Sequence, residues 1–236
     1  MNQLTFIIIA SWLAGLSAFG GGMIAWVTDG ADTVARREIY HGVIAFGGGI
    51  LISAVAFALL PQGMVELSPL SLGGIFCAGG LSFCILDAQL SKTGDTKAQF
   101  LAMLIDFIPE ALALGAVFGH DHRLGVLLAA FIGAQNLPEG FNSFREMTTF
   151  GIHARVALMT LLTVSLVGPI AACMGYFFLQ DQTKVTARIM TFAGGGIMYL
   201  IFQDIAPQSK ISKHWIPALG AVLGFAVGMI AKQLIG

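Results

Sequence analysis

Residues 46–62 read FGGGILISAVAFALLPQ, and residues 192–208 read FAGGGIMYLIFQDIAPQ. The two stretches align without a gap at an offset of 146: Phe46 on Phe192, Gly48 and Gly49 on Gly194 and Gly195, Pro61-Gln62 on Pro207-Gln208. The first carries no charge and the second only Asp204, so each is apolar enough to lie in a bilayer. The rest of the chain is of the same kind. Of its 236 residues, 56% are hydrophobic and 11% charged, against about 25% charged in soluble domains. There are too few polar residues to cover a water-soluble surface. The composition predicts an all-α membrane protein, because a helix satisfies its own backbone polar groups in lipid.

Eight stretches reach the length of about 20 mostly apolar residues that a span needs: 4–27, 42–62, 67–87, 98–118, 124–147, 156–179, 188–208 and 215–234. Short connections hold most of the charge, so residues 1–236 read as one polytopic transmembrane domain. The uncharged stretch Leu4–Val27 precedes the first cation, Arg36, and is long enough to be a retained first span rather than a cleaved signal. A net charge of −1 speaks against a nucleic-acid surface. Cys77, Cys84 and Cys173 form no CxxC pair and read as small hydrophobes.

An even number of spans puts both termini on one side. The opposite loops hold Arg36, Arg37, Lys92, Lys97, Arg145, Arg155, Lys210 and Lys213, whereas the terminal side holds Arg123, Lys184, Arg188 and Lys232. The positive-inside bias therefore predicts termini outside the cytoplasm. Span two then runs outward and span seven inward, so the repeat is inverted. A second pair lies between them: Asp106-Phe107-Ile108-Pro109-Glu110 matches Gln135-Asn136-Leu137-Pro138-Glu139 in the antiparallel spans four and five. Inverted repeats around a midplane site are a transporter pattern. Gly220, Gly224 and Gly228 have small-xxx-small spacing, read as packing within the molecule rather than a dimer face.

An ionisable side chain deep in a span is costly and marks a functional site by default. Asp106, Glu110 and Glu139 are deep, whereas Asp87, Glu146 and Asp204 lie nearer the inner ends. Asp106 and Glu110 share a helix face at i, i+4, as do Gln135 and Glu139. Reflection about a turn near Asp121 brings Glu110 and Gln135 within about one helical turn in depth, and likewise Asp106 and Glu139. Pro109 and Pro138 predict kinks that loosen the carbonyls of Ile105 and Ala134. Close carboxylates in low dielectric need a cation or protons between them. A divalent metal meets that need, and a protonated network that only holds helices together is the structural alternative. The histidines His41, His120, His122, His153 and His214 all fall in loops or at span ends. Gly119-His120-Asp121-His122-Arg123 reads as a hydrated turn more readily than as a metal-capturing mouth. No HExxH pair occurs, so no metalloenzyme is expected.

The run Gln135-Asn136-Leu137-Pro138-Glu139-Gly140 resembles the ZIP family of zinc- and iron-type transporters, whose span four reads H-N-x-P-E-G with a similar run in span five. Asp106-Phe107-Ile108-Pro109-Glu110-Ala111 matches it in part, and Phe202-Gln203-Asp204-Ile205-Ala206-Pro207 is similar to the family's F-H-E-x-I-P run. The resemblance implies a main metal site of Asp106, Glu110, Gln135 and Glu139, with Asn136 in an adjacent second site. It implies a transported divalent metal of the zinc, iron or manganese class and no organic cofactor. It also implies alternating access with glycine-rich sliding surfaces at Gly48, Gly49, Gly194 and Gly195, uptake at the cell (inner) membrane, and a fold that allows a homodimer. Phe107 stands where the family has Asn, and Gly168 where it has Glu before a proline, so the second site is expected to be degraded. With Gln203 and Asp204, these departures also fit a ZIP-like fold that binds metal or protons without flux. An all-oxygen ligand set shifts the expectation from zinc towards harder ions.

Overall fold

The computed structural model describes residues 2–28, 34–93, 98–210 and 215–235. Lys97, Lys213 and His214 of the sequence reading lie outside them, and the side chains of Arg36 and Lys92 are likewise not described. Every element among the described residues is helical: α1 (Gln3–Val27), α2 (Val34–Ala54), α3 (Leu60–Glu66), α4 (Pro69–Thr93), α5 (Ala98–Phe118), α6 (His122–Thr149), α7 (Ala154–Val164), α8 (Val167–Leu179), α9 (Thr183–Leu200), α10 (Ala206–Ser209) and α11 (Ile216–Ile235). By length and composition, seven segments are apolar enough to cross a membrane: Gln3–Val27, Arg37–Glu66, Pro69–Gln89, His122–Thr149, Ala154–Leu179, Thr183–Ser209 and Pro217–Ile235. The chain is a multi-pass membrane protein. The remaining expected span, 98–118, coincides with α5, whose side chains are described from Met103 onward.

Proline positions set where these helices are interrupted. A proline ring crowds the carbonyl four residues before it and offers no N–H. For Pro61 that residue is Phe57, inside a π-helical turn, Val55–Leu59, between α2 and α3. For Pro207 it is Gln203, inside a second π turn, Ile201–Ile205, between α9 and α10. For Pro169 it is Ser165, where the expected span 156–179 parts into α7 and α8. The two π turns fall at the same place in the two copies of the repeat. By contrast, α5 and α6 run on as α-helix through Pro109 and Pro138.

Glycines decide which helices pair. A methyl group added to Gly49 of α2 would come within 2.0 Å of the Ala221 carbonyl oxygen on α11; one added to Gly224 of α11 would come equally close to that of Phe46. The same reciprocal contact joins α4 to α9 through Gly79 and Gly195, where an added Cβ would come within 2.0 Å of a carbonyl oxygen of the other helix (Phe192 and Phe76). The offset of 146 carries Gly49 onto Gly195, so the repeat is built into the packing. Gly21 with Gly140 joins α1 to α6, and Gly115 with Gly175 joins α5 to α8, in the same way. Without a side chain, the backbones approach closely enough for Cα–H to face carbonyl oxygen. Gly220 and Gly228 pack inside the molecule too, against Gly42 and Ser53.

Two groups result. One contains α1, α5, α6 and the α7–α8 pair; the other contains α2, α4, α9 and α11. They meet chiefly through α5, α6, α2 and α9. Between groups the close glycine contacts are with side chains: Gly47 faces the ring of Pro138, and Gly228 faces Phe131.

Candidate metal centre

Asp121 caps α6 by accepting from the Leu124 amide at 2.9 Å, which fixes the turn between α5 and α6. His122 packs its ring on Phe6 and Phe118, at 4.8 and 5.4 Å between centroids. Two residues of this loop thus serve the fold. The hairpin then sets the depth of every polar group behind it.

Glu110 and Gln135 meet across it: Gln135 Nε2 donates to Glu110 Oε2 at 2.6 Å. Both are almost wholly buried. About 6 Å along α5 towards Ala98, one turn away, Asp106 is also buried and lies close enough to Glu139 and Glu110 for their charges to act on it. Asp106 and Glu139 line a cavity of about 50 Å³, room for an ion with a little water. Its walls come from both helix groups. From one come Met103 and Asp106 of α5 and Pro138, Glu139, Asn142 and Ser143 of α6; from the other, Ile44, Gly47 and Leu51 of α2 and Leu200, Asp204 and Ile205 at the end of α9. These positions lie in the half of the bundle nearer Val34, Ala98, Thr149 and Ser209.

The donor balance of the site is one-sided. Asp106 Oδ1, Gln135 Oε1, Glu139 Oε2 and Asn142 Oδ1 are buried acceptors with no protein donor, and Ser143 Oγ is unpartnered beside them. Buried acceptors of this kind call for an explanation, a cation or ordered water among them. An all-oxygen set fits a divalent cation. Among the described residues, no group of three or more His, Cys, Asp or Glu side chains is placed to hold one ion. Glu110 is engaged by Gln135, while Asp106 and Glu139 face the cavity one layer further in.

Asn136 faces elsewhere. Its Nδ2 donates to the Ala14 carbonyl at 3.0 Å, tying α6 to α1, and its Oδ1 has no protein partner. Beside α1, the space between the helices is filled by a ring. Phe107 Cζ lies 2.7 Å from where a Cβ on Gly168 would stand, and 3.1 Å from one on Gly15. Asn142 and Ser143 escaped the sequence reading, although they stand three and four residues after Glu139 and so share its face.

Towards the end of the bundle nearer Val34 and Ser209, Tyr199 Oη donates to Asp87 Oδ2 at 3.0 Å, joining α9 to α4. Arg145 lies 4.5 Å over the Tyr40 ring, linking α6 to α2. His41 Nδ1 meets the Gln208 carbonyl oxygen. Cys77, Cys84 and Cys173 are all free.

No family model matches the chain. Zinc transporter GufA of Myxococcus xanthus is 32% identical over 139 residues, covering 58% of this chain and 54% of that relative. Zinc transporter ZupT of Corynebacterium glutamicum is 26% identical over 272 aligned positions, covering 94% of this chain and 95% of ZupT. Human zinc transporter ZIP11 is 29% identical over 139 residues, covering 55% of this chain. The chain is thus similar in sequence to several proteins named as zinc transporters. The match spans about half the length of GufA and 40% of ZIP11, so the chain shares only part of each. The proteins it resembles are named as transporters, not enzymes, in keeping with the absence of an HExxH pair.

Proposed function

We propose that this chain carries a divalent metal cation across the membrane through the cavity between α5, α6, α2 and α9. The observation that carries this reading is the set of donor-less oxygens on Asp106, Gln135, Glu139 and Asn142. In a dry interior such atoms attract a cation, which brings the charge that Asp106, Glu110 and Glu139 lack. The names of GufA, ZupT and ZIP11 point the same way.

The metal is of the zinc, iron or manganese class, and the oxygen-only set favours the harder members. Residues 1–236 act as one domain of eight spans, with α5 as the fourth and both termini outside an inner membrane. Asp106, Glu110, Gln135 and Glu139 form the main site. Bending at Pro109 and Pro138 brings the Ile105 and Ala134 carbonyls towards it. Access alternates as the α5–α6 group shifts against the α2–α9 group, and a homodimer is compatible with this movement.

The second metal position of the family is reduced. Asn136 is its remaining candidate, and the Phe107 ring against Gly168 fills the space beside it. That packing also favours a second reading, a ZIP-like fold that binds metal or protons without flux.

Purified protein in liposomes tests both readings, with Zn²⁺, Mn²⁺, Fe²⁺, Cd²⁺ and Mg²⁺ offered separately. Flux that disappears in Glu110→Ala and Glu139→Ala supports transport. Binding without flux supports the second reading. Flux indifferent to both substitutions overturns the site.

A further inference from the structure

We propose that Asn142 and Ser143 form a second, weaker cation station one helical turn inward of Glu139. This rests on the transport reading and extends it. Both residues follow Glu139 on the same face of α6, at i+3 and i+4. Both line the cavity that Asp106 and Glu139 line.

Their unmet bonding singles them out. Asn142 is 9% exposed and Ser143 1%, and neither Asn142 Oδ1 nor Ser143 Oγ has a protein partner. Hydroxyls elsewhere in these helices usually satisfy themselves by donating to a carbonyl one turn back. On the same helix, Thr148 donates to the Phe144 carbonyl at 3.0 Å; on others, Ser11 donates to Ile7 and Thr191 to Ala187 at 2.7 Å. Ser143 makes no such bond. Its hydroxyl oxygen and the Asn142 amide oxygen are left facing the same volume.

Chemistry assigns the ligand. An amide oxygen and a hydroxyl are neutral, hard donors, suited to a partly hydrated divalent cation that is held loosely. Asp204, half-buried at the π turn beyond α9, stands across the same cavity. Ile44, Gly47 and Leu51 of α2 line the cavity as well. The order Glu139, then Asn142 and Ser143, then Asp204 gives an inward-moving cation successive oxygen contacts. A neutral station between two carboxylates keeps it from being trapped at either.

The test uses full-length protein in lipid nanodiscs, titrated with Mn²⁺ by electron paramagnetic resonance, and the same variants in liposome flux. Asn142→Asp keeps the oxygen and adds charge. It is expected to tighten Mn²⁺ binding about tenfold, because ligand charge count tunes such affinities. Ser143→Ala combined with Asn142→Leu is expected to lower the maximal flux about tenfold while leaving the KM, set at Glu139, within about twofold. Affinity in Asn142→Asp equal to or weaker than that of the unaltered protein overturns the station, as does unchanged maximal flux in the double variant. If the double variant fails to fold, Ser143→Ala alone is read in its place. Glu139→Ala separates the two ideas: when it abolishes binding but Asn142→Asp changes nothing, the station fails and the main site stands. When Glu139→Ala binds Mn²⁺ normally, the main site itself fails.

Discussion

The ring of Phe107 lies against Gly168 so closely that a Cβ there would come within 2.7 Å of its Cζ, and within 2.8 Å of the Ser11 carbonyl oxygen. Phe107 is on α5 and Gly168 on α8, and the ring is 2% exposed. Where the ZIP resemblance implies an amide and a carboxylate, this chain has one large apolar side chain and one missing side chain. The two changes fit each other in volume.

Gly168→Ala is therefore expected to overpack this junction and to lower stability by about 1–3 kcal/mol. Phe107→Leu in the same chain is expected to restore part of the loss by withdrawing the ring tip. Thermal unfolding of detergent-solubilised protein measures both. Equal melting temperatures for Gly168→Ala and the unaltered chain would contradict the packing described.

Removing either glutamate of the main site is expected to lower metal uptake by at least about 100-fold, the upper end for losing even an outer-shell partner. Gln135→Ala is expected to cost about tenfold, since it removes a neutral oxygen and frees Glu110 from its 2.6 Å hydrogen bond. Initial uptake rates in liposomes give the ranking, and a Gln135→Ala defect larger than Glu139→Ala would reverse the assigned roles.

Asn136→Ala removes the bond to the Ala14 carbonyl. The expected cost is about 1 kcal/mol of stability, with metal affinity at the main site unchanged within about threefold, one metal binding per chain before and after. Calorimetric titration supplies affinity and stoichiometry together. A drop from two bound metals to one would restore Asn136 as a ligand of an intact second site.

Gly49→Val and Gly195→Val are expected to be about equally disruptive, each costing about 3 kcal/mol or more, because the atom they meet is backbone and cannot turn aside. Gly20→Ala and Gly73→Ala meet nothing within 4 Å, so each should leave stability unchanged or raise it by about 0.5–1 kcal/mol through helix propensity. Melting temperatures that failed to separate the two pairs would remove the glycine contacts as the organising feature of the fold.

Seven of the spans were legible because length and apolarity are properties of a single segment. The meeting of Glu110 and Gln135 was legible because a short turn fixes the relative depth of two antiparallel helices. Other features depend on more than one segment. Seven prolines lie within the expected spans; Pro69 and Pro217 stand at helix starts, and of the other five the chain departs from regular α-helix before Pro61, Pro169 and Pro207 and not before Pro109 and Pro138. The packing around each proline decides that, and composition does not carry it. Asn142 and Ser143 were missed for a different reason: polar residues near a span's inner half look like ordinary interfacial residues until a cavity is seen beside them.

The glycine contacts to backbone carbonyls bind helices within each group, while Gly47 and Gly228 meet side chains across the boundary. Backbone seams are rigid and side-chain seams can be re-keyed. The cavity thus lies on the molecule's fault line. Under the proposed alternating access, a substitution that welded this boundary, such as a paired cysteine between α2 and α6, would leave each half intact and abolish flux alone.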